Sequence, residues 1–572
     1  MGKLLRVNMS RLDVQLGALP EKFEGLGGRA LTSQLVFDEV PPTCEPLGVY
    51  NKLVMAPGIL GGTGLSSSGR LSVGGKSPLT GGMKESNAGG TTATKLARLG
   101  IGALVVEGVV EDNRLYVLLI NKDGGELVPA DELKGLGNYP LAKELRRRYG
   151  ERVGVISIGP AGEWGLAAAG VANTDRDGAP ARFSGRGGLG AVMGSKGLKA
   201  VVIDDSGAQK VSVKDPATFA ALCRELHNDL VANSTIQGYG KYGTAGILDL
   251  VNELGALPTN NFREGRFARA GKINGEALYQ TITQRGGAGK PTHACMAGCL
   301  IKCSNVYPDT NGHAVVAPLE YETIGLLGSN CGIDDLDVIA RLNYLCNDLG
   351  VDTIETGAAI GVTMESGLIP FGDVGGAEKL IQEIGQGTVL GRLLGNGAVI
   401  TGRVLGAKRI PTVKRQAMPA YDPRAIKGNG VTFATSPMGA DHTAGNCVRG
   451  KNQHSPEGQV TLSFNSQVLM AAYDSLGLCI FLGAAFNPKL DHVRRLVMAK
   501  VGLELPPDYL TQLGKRVLQA EWAFNQQAGL TSAQDRLPEF MLEEGLPPFD
   551  LIFDVSSAEM DAMLESIQRD GQ

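Results

Sequence analysis

Hydrophobic and polar residues follow two different rhythms along this chain. In about the first 200 residues, short apolar runs between Gly-rich turns predict strands over 52–56, 103–106, 115–120 and 153–158. From about Val211, apolar residues recur at helical spacing behind Asp or Pro, as in "DPATFAALCRELHNDLVAN", "DDLDVIARLNYLCNDLG" and "PPDYLTQLGKRVLQAEWAFNQQAG". The pattern predicts an α+β protein in which two mainly α-helical domains follow a β-rich N-terminal domain.

The β-rich region contains an approximate internal duplication. "LVMAPGILGGTGLSSSGRLSV" and, about 100 residues later, "VGVISIGPAGEWGLAAAG" each begin with a strand and continue into a turn rich in small residues. The first copy ends in "ESNAGG" and the second in "GRGGLG". Two similar halves can cradle two copies of one ligand, so we predict that they do.

The predicted domains are a β-rich domain over 1–208, a helical domain with a cysteine cluster over 209–415, and a C-terminal, mainly helical domain over 416–572. The boundary near 415 depends on "AMPAYDPRAIKGNGVTFATSPMGADHTAGN", which is rich in Pro, Gly and charge. This pattern predicts a long loop, and long irregular loops in compact domains are often functional.

Composition narrows the classes of function. Charged residues make up 20% and aromatic residues 5%, with a formal net charge of -4, which argues against binding nucleic acid or an anionic membrane. No apolar run reaches the roughly 18 residues of a membrane helix and no signal segment is present, so we predict a soluble cytoplasmic protein. The 81 glycines are about twice the usual share of roughly 7%, and their dense clusters suggest backbone contact with a ligand.

One glycine cluster, "GRGGLG", matches the dinucleotide-binding pattern G-x-G-x-x-G, and Asp204 and Asp205 follow it at a nearly suitable distance. Such a site requires the motif to follow a strand directly, whereas the polar segment "NTDRDGAPARFS" precedes it here. We therefore do not predict a Rossmann site.

Three of the nine cysteines lie within "THACMAGCLIKC", at Cys295, Cys299 and Cys303. A [4Fe–4S] cluster needs four thiolates, and structural zinc sites usually show paired C-x2-C ligands that this chain lacks. The cluster is the favoured interpretation, with zinc as the alternative. Cys479 is the preferred remote ligand because Asp and Gly interrupt the apolar segment around it. The other candidates are Cys44, Cys223, Cys331, Cys346 and Cys447.

Several segments together resemble the aldehyde:ferredoxin oxidoreductases, tungsten enzymes with a bis-pyranopterin cofactor beside a [4Fe–4S] cluster. The resemblance covers essentially the whole chain. It depends on "GRALTSQLVFDEV", "SSGRLSVGGKSPLTGG", "ESNAGG", "GRGGLGAVMGSKGLKA", "LEYETIG", "GVDTIETG", "PAYDPR" and "DSLGLC".

The resemblance implies a set of cofactor ligands. Four cysteines would hold the cluster: Cys295, Cys299, Cys303 and Cys479. Both halves of the N-terminal domain would contact pterin, through Arg70, Asn87 and Gly89 in the first and Arg186, Gly187, Gly188 and Gly190 in the second. The segments "DTIETG" and "DSLGL" would also bind pterin, through Asp352, Gly357, Asp474, Gly477 and Leu478. For Asp352 and Asp474, the alternative is a helix cap. Mg²⁺ bridging the pterin phosphates is also expected.

The sequence departs from the family pattern in two places. The family commonly has C-x2-C-x3-C, and this chain has one more residue in the first gap. Some members carry an E-x-x-H motif for an intersubunit iron, but none of the six histidines here has Glu three positions earlier. We therefore do not predict that iron, although we still expect an oligomer.

The resemblance also implies the chemistry. Tungsten would need no protein ligand, so the chain would supply acid–base groups: Glu320 or Glu322, with Glu320 preferred, and His442. Because the two glutamates are two residues apart, we expect only one to face the pocket; His442 alternatively orders its loop. The predicted reaction oxidises aldehydes to carboxylic acids and can run in reverse. Electrons would pass through the cluster to ferredoxin or a small iron–sulfur subunit docking near Cys303 or Cys479.

Two other functions remain open from the sequence. One is a tungsten catalytic subunit for another low-potential reaction, such as ring reduction of an aryl-CoA thioester. The other is a non-catalytic electron-transfer subunit or a zinc-stabilised scaffold, for which the two glycine-rich halves and the paired Asp motifs would have no use.

Overall fold

The duplication in the N-terminal region is a repeated sheet topology. The computed structural model describes residues 2–112 and 114–569. The first sheet has the strand order β2-β1-β6-β3-β4-β5, and the second has the order β8-β7-β12-β9-β10-β11. In each sheet the first strand of the half pairs in parallel with its last strand, and the other neighbours are antiparallel. The predicted duplication is therefore confirmed strand by strand.

The strands of the first sheet are β1 (Lys3–Asn8), β2 (Asp13–Ala18), β3 (Leu53–Pro57), β4 (Leu71–Lys76), β5 (Met83–Ala88) and β6 (Ile101–Glu107). Those of the second are β7 (Tyr116–Asn121), β8 (Gly124–Pro129), β9 (Gly154–Ser157), β10 (Val171–Asn173), β11 (Arg182–Ser184) and β12 (Leu198–Ile203). The four strands predicted from apolar runs are β3, β6, β7 and β9, each within two residues of its predicted bounds. One apolar core joins the two sheets and includes Val73 and Leu104 from the first and Ile156 and Val201 from the second.

The two glycine-rich segments occupy equivalent places in the two halves. "ESNAGG" runs from the end of β5 towards α2 (Thr92–Arg98), and "GRGGLG" runs from the end of β11 into α5 (Leu189–Ser195). The expectation that no strand precedes "GRGGLG" is wrong, because β11 does so. However, β11 has three residues and pairs antiparallel with β10 at the edge of its sheet. The parallel strand–helix–strand unit of a dinucleotide fold is therefore not formed here.

The remaining helices and strands follow in chain order. The helices up to residue 405 are α1 (Gly28–Glu39), α3 (Asn138–Tyr149), α4 (Pro160–Glu163), α6 (Pro216–Ala232), α7 (Ser234–Tyr242), α8 (Leu248–Glu253), α9 (Gly275–Arg285), α10 (Tyr321–Thr323), α11 (Leu336–Leu349), α12 (Thr353–Glu365), α13 (Val374–Gln386), α14 (Val389–Gly395) and α15 (Ala398–Leu405). Later helices are α16 (Lys427–Thr435), α17 (Gln459–Leu476), α18 (Gly483–Phe486), α19 (Leu490–Val501), α20 (Tyr509–Gln527), α21 (Phe540–Glu543) and α22 (Ser557–Arg569). Small sheets are formed by β13 (Lys290–His293), β14 (Ser304–Pro308) and β15 (Ala314–Val316), and by β16 (Thr412–Val413) and β17 (Gln416–Ala417).

The three predicted helical segments form α6, α11 and α20. Helices α6 and α11 start with the expected capping, since the Asp215 carboxylate accepts from the Thr218 amide and the Asp335 carboxylate from the Val338 amide. Asp508, before α20, forms no such side-chain bond. The structure therefore has the predicted α+β class, with β-rich N-terminal sheets and a mainly helical remainder.

The segment around residue 415 differs from the predicted loop. It contains β17 and α16, and nearly every residue from 416 to 441 is buried. Met418 and Phe433 belong to the same apolar core as Leu326 and Ile360, which precede residue 415. A long apolar core thus crosses the predicted boundary, because Pro and Gly here allow close packing of a buried segment rather than a solvent-exposed linker.

Among the residues described, no single helix is both long and apolar enough to cross a membrane. The one pair that reaches such length and hydropathy together, Gln459–Leu476 with Ile480–Val501, bends by 115° between its halves.

Candidate active site

Three cysteines lie on the connection between β13 and β14. The loop closes with a bridge between His293 and Cys303, and its chain turns through positive φ angles at Gly298 and Lys302. This irregular path spaces Cys295, Cys299 and Cys303 differently from a helix. Ala297 and Gly298, at the tip, are exposed, whereas Cys299 is buried.

Cys479 reaches this loop from the C-terminal region. Helix α17 ends at Gly477, which has a φ of 76°, and the chain then turns so that the Cys479 amide donates to the Ser67 carbonyl oxygen at 2.9 Å. The Ser67 hydroxyl donates to the Cys299 sulfur at 3.3 Å. Ser67, on the connection between β3 and β4, thus links the remote cysteine to the cysteine loop.

The four thiols interact electrostatically. Burial raises the pKa of Cys303, and the nearby Cys479 thiol raises it further. A hydrogen bond from Cys295 lowers the pKa of Cys299 to about 5, helped by the bond from Ser67. All four are free thiols. The structure therefore brings together the four cysteines that the sequence proposed as one ligand set.

Across residues 2–112 and 114–569, no three His, Cys, Asp or Glu side chains lie close enough together to hold one metal ion.

Gly89 brings the first N-terminal half against the cysteine loop. A Cβ atom at this position would lie 2.9 Å from the Cys295 sulfur and 3.0 Å from the end of Met296. The Gly89 carbonyl oxygen accepts a hydrogen bond from the Asn173 side chain of the second half at 2.7 Å. This residue therefore lies where both halves and the cysteine loop meet.

Arg70 lies between the cysteines and the predicted pterin-binding carboxylate. Its Nε donates to the Asn87 side-chain oxygen and its Nη2 to the Asn87 carbonyl oxygen, the latter at 2.9 Å. Burial opposes its charge, but Cys479 and Asp474 outweigh burial and raise its pKa. The Asn87 amide in turn donates to Asp474 at 3.0 Å. Three predicted ligands thus form one chain of contacts.

Asp474 is not a helix N-cap, because it lies in the last turn of α17. Its carboxylate accepts from Arg29 at 3.3 Å, and Arg29 also forms a two-point ion pair with Glu521 at 2.9 and 2.8 Å. Burial raises the pKa of nearby Glu85 to about 8, and the Asp474 charge raises it as well. Burying several carboxyl groups together costs free energy and shifts their pKa values, and such groups cluster at functional sites.

The second half presents a matching arginine and carboxylate. Arg186 donates to Asp352 at 3.2 Å and to the carbonyl oxygens of Ala417 and Ala440 at 2.6 and 2.5 Å. Asp352 also caps α12 by accepting from two amides of its first turn, at 3.1 and 3.2 Å. The predicted alternative for Asp352, a helix cap, is therefore present together with the arginine contact.

Packing within the protein accounts for some of the glycines that were predicted to bind pterin. A Cβ atom at Gly190 would lie 2.3 Å from the Gly170 carbonyl oxygen, and one at Gly357 would lie 2.8 Å from the Leu326 backbone. Gly187 and Gly188 precede α5 with φ angles of 81° and 76°, while Leu478 is fully buried beyond the end of α17. Close approach of protein backbone thus explains Gly190 and Gly357 without a ligand.

The candidate acid–base groups gather at the start of α10 and in the loop after α16. Glu322 accepts from the Ala420 amide at 2.8 Å, and its other oxygen lies 3.5 Å from His442 Nε2. Glu320 pairs with Arg182 at 3.6 Å. Burial raises the pKa of both carboxyl groups. The charge of His442 acts in the opposite direction on each but does not cancel the rise. Both glutamates therefore lie near His442, and the expectation that only one of them faces the pocket stays a prediction.

The Glu320 side chain is 38% accessible, although surrounding protein raises its pKa. Buried atoms nearby lack hydrogen-bond partners among the described residues, including Glu322 Oε1, His442 Nδ1, Glu85 Oε1 and Arg182 Nε. The site therefore has spare hydrogen-bonding capacity for a polar group.

Several charged residues of the site were missed by the sequence analysis. They are Arg29, Lys84, Glu85, Arg182, Glu355, Asp441 and Glu521, all buried. Lys84, for example, donates to Asp441 at 2.6 Å, next to His442. For Lys84 and Glu85, the available signal was a pair of charged residues in "GGMKESNAGG", a segment otherwise made mostly of small residues.

A repeated β fold that faces a buried four-cysteine site and paired carboxylates is the architecture of an oxidoreductase. The profile for the N-terminal domain of aldehyde ferredoxin oxidoreductase matches residues 4–205, and that for domains 2 and 3 matches residues 221–567. The chain belongs to the aldehyde ferredoxin oxidoreductase family, which confirms the resemblance predicted from its motifs.

Curated relatives match over nearly the full length. The tungsten-containing aldehyde ferredoxin oxidoreductase of Pyrococcus furiosus is 34% identical, over 96% of this chain and 92% of its own length. The enzyme of the same name from Thermococcus kodakarensis is 33% identical with the same coverage. The aliphatic sulfonate oxidoreductase WOR-like subunit of Pyrococcus furiosus is 26% identical, over 91% of this chain and 85% of its own length.

A solved structure shares the fold. The active site complex BamBC of benzoyl coenzyme A reductase, bound to 1,5-dienoyl-CoA, aligns with a TM-score of 0.80 over 100% of this chain and 98% of that chain. The sequences are 19% identical, so this likeness concerns the fold alone.

Proposed function

We propose that this protein is a tungsten-dependent aldehyde oxidoreductase, which oxidises aldehydes to carboxylic acids and passes the electrons to ferredoxin or a small iron–sulfur subunit. The observation that carries the proposal is a chain of interactions in which Arg70 feels the charge of Cys479 and is joined by hydrogen bonds through Asn87 to Asp474. It links a four-cysteine site to a carboxylate suited to pterin N–H donors. Glu320, Glu322 and His442 lie close by.

The residues present fit the proposed cofactors. Four free thiols suit a [4Fe–4S] cluster, and unpartnered buried atoms at Glu85 and Glu322 suit polar ligand groups. When bound, the tungsten bis-pyranopterin would supply the two-electron redox chemistry. Arg70, Asn87 and Asp474 would hold one pterin, and Arg186 and Asp352 the other. Mg²⁺ on the pterin phosphates remains a prediction.

The proposed acid–base chemistry assigns separate tasks to the polar side chains. The Glu322 carboxylate accepts from the Ala420 amide, and burial raises its pKa. It would take the proton released when water adds to the aldehyde carbon. His442, oriented by Glu322 at 3.5 Å, would donate a hydrogen bond to the carbonyl oxygen. Glu320, beside Arg182, is the alternative base.

Electrons would leave at the cysteine loop. Ala297 and Gly298 are exposed between two predicted cluster ligands, so a partner docking there would approach the cluster closely. Ring reduction of an aryl-CoA thioester is a less favoured function, because the relatives with 33–34% identity carry the aldehyde oxidoreductase name, whereas the benzoyl-CoA reductase complex shares the fold at 19% identity.

The test is an anaerobic aldehyde panel with a viologen acceptor, using wild type, Glu322→Gln, Glu320→Gln and His442→Asn. Loss of a general base typically lowers the rate about 10²–10⁴-fold, which we expect for Glu322→Gln. The exposed Glu457→Gln serves as the matched control and should retain wild-type rates. No aldehyde oxidation by metal-loaded wild type, or activity only with an aryl-CoA thioester, would refute the proposal.

A further inference from the structure

Arg182 connects the candidate base Glu320 to the cysteine loop. It begins β11, at the edge of the second sheet, and only 8% of its side chain is exposed. One guanidinium nitrogen lies 3.6 Å from the Glu320 carboxylate. The other donates to the hydroxyl of Ser304, the residue directly after Cys303. A single buried cation thus touches both the acid–base group and the first residue of β14, which directly follows a predicted cluster ligand.

Few charged groups surround Arg182 and the Glu320 carboxylate. The Arg182 guanidinium faces the Glu320 carboxylate on one side and, on the other, the hydroxyl of Ser304, next to Cys303. The groups that act on Glu320 itself are Arg182, Arg70, His442, Cys303 and Cys479. Arg70 is occupied by both Asn87 contacts, and His442 lies beside Glu322. Arg182 is the cation placed directly between Glu320 and the loop.

We propose that Arg182 is a positioning residue that holds the Glu320 carboxylate in place and, through its charge, sets the reduction potential of the cluster bound by the adjacent cysteine loop. This inference rests on the proposed function, since it requires the iron–sulfur cluster. Reduction adds one electron and one negative charge to the cluster, and a fixed buried cation stabilises that charge. The same cation favours the ionised form of Glu320.

The experiment is a potentiometric titration of the holoenzyme with dithionite and redox dyes, without aldehyde, followed by electron paramagnetic resonance of the reduced cluster. Arg182→Gln should lower the midpoint potential, with a tenfold or larger change in the reduction equilibrium, about 59 mV for one electron. Arg182→Lys keeps the charge and should stay near wild type. The exposed Arg341→Gln is the matched control for charge removal.

A second readout concerns protons. Because Arg182 favours ionised Glu320, the pKa of the Glu320 carboxyl, followed by infrared difference spectroscopy against Glu320→Gln, should rise in Arg182→Gln and return towards wild type in Arg182→Lys. A purely structural role would move neither the potential nor this pKa. An Arg182→Gln potential equal to that of Arg341→Gln overturns the inference.

If Arg182→Gln loses its iron, a second variant still tests the inference. Ser304→Ala keeps the arginine and removes its hydrogen bond to the loop, so we expect a smaller fall in potential; an unchanged potential overturns the inference. A wild-type protein with no reducible cluster would contradict the proposed function itself. A normal wild-type signal with unchanged variants would refute only the role of Arg182.

Discussion

The buried arginine Arg29 offers a stability test of the charge network beneath the site. Its guanidinium and the Glu521 carboxylate are both fully buried and joined by two hydrogen bonds, and it also contacts Asp474. It joins α1 to α17 and α20. Arg29→Met would remove the cation and leave two carboxylates in the interior without it. Breaking a buried ion pair in this way costs about 3–5 kcal/mol, because the remaining charge is uncompensated.

The matched control is Arg341→Met. Arg341 is 66% exposed and pairs with Glu378 on the surface, and such a pair contributes about 0–1 kcal/mol. Calorimetric melting of the metal-free chains should therefore show a much lower first transition for Arg29→Met than for Arg341→Met. The double variant Arg29→Met/Glu521→Met should recover part of the loss, because it removes one of the uncompensated charges. Equal melting temperatures for Arg29→Met and Arg341→Met would refute the reasoning.

Three further predictions concern single groups. Burial raises the pKa of Glu355 from 4.5 to about 7. Between these pH values the folded state keeps a proton that the unfolded state releases, so the free energy of unfolding falls as the pH rises. At 1.36 kcal/mol per pKa unit the fall is about 3 kcal/mol. Denaturation at a series of pH values should show this slope in wild type and a shallower one in Glu355→Gln. Gly190→Ala should fold poorly because its methyl group meets a carbonyl oxygen at 2.3 Å, whereas Gly185→Ala, with no atom nearer than 3.6 Å, should express and melt normally; similar melting would contradict this. Cys479→Ser should lower iron content and the visible absorption of the cluster, while Cys447→Ser should not.

The repeated sheets could be predicted because their information is local. Apolar runs of four to six residues located β3, β6, β7 and β9, and the similar glycine-rich endings exposed the duplication. Parallel pairing of β1 with β6 joins segments about 100 residues apart, and no local pattern specifies it. The same limit explains the buried segment 416–441, where Pro and Gly predicted a loop but distant apolar partners stabilise a core.

The candidate site divides in a similar way. The cysteine loop could be found from spacing, and Cys479 from one polar interruption in an apolar stretch. The pairing of Arg182 with Glu320 and of Lys84 with Asp441 depends on contacts across 138 and 357 positions of the sequence. Glu320 and Glu322 are two residues apart, and only one was expected to face the pocket. The chain changes from extended at Glu320 to helical at Tyr321, so neither the alternation of a strand nor the rotation of a helix fixes their relative directions.

The most direct test of the central claim is elemental analysis of anaerobically purified protein for tungsten, molybdenum, iron and zinc. The account predicts about one tungsten and about four irons per chain, since four thiolates are the usual ligands of a [4Fe–4S] cluster. Molybdenum in place of tungsten would change the metal and keep the roles of the residues. Zinc alone, in protein made with tungstate and pterin synthesis available, would contradict the account and favour a scaffold.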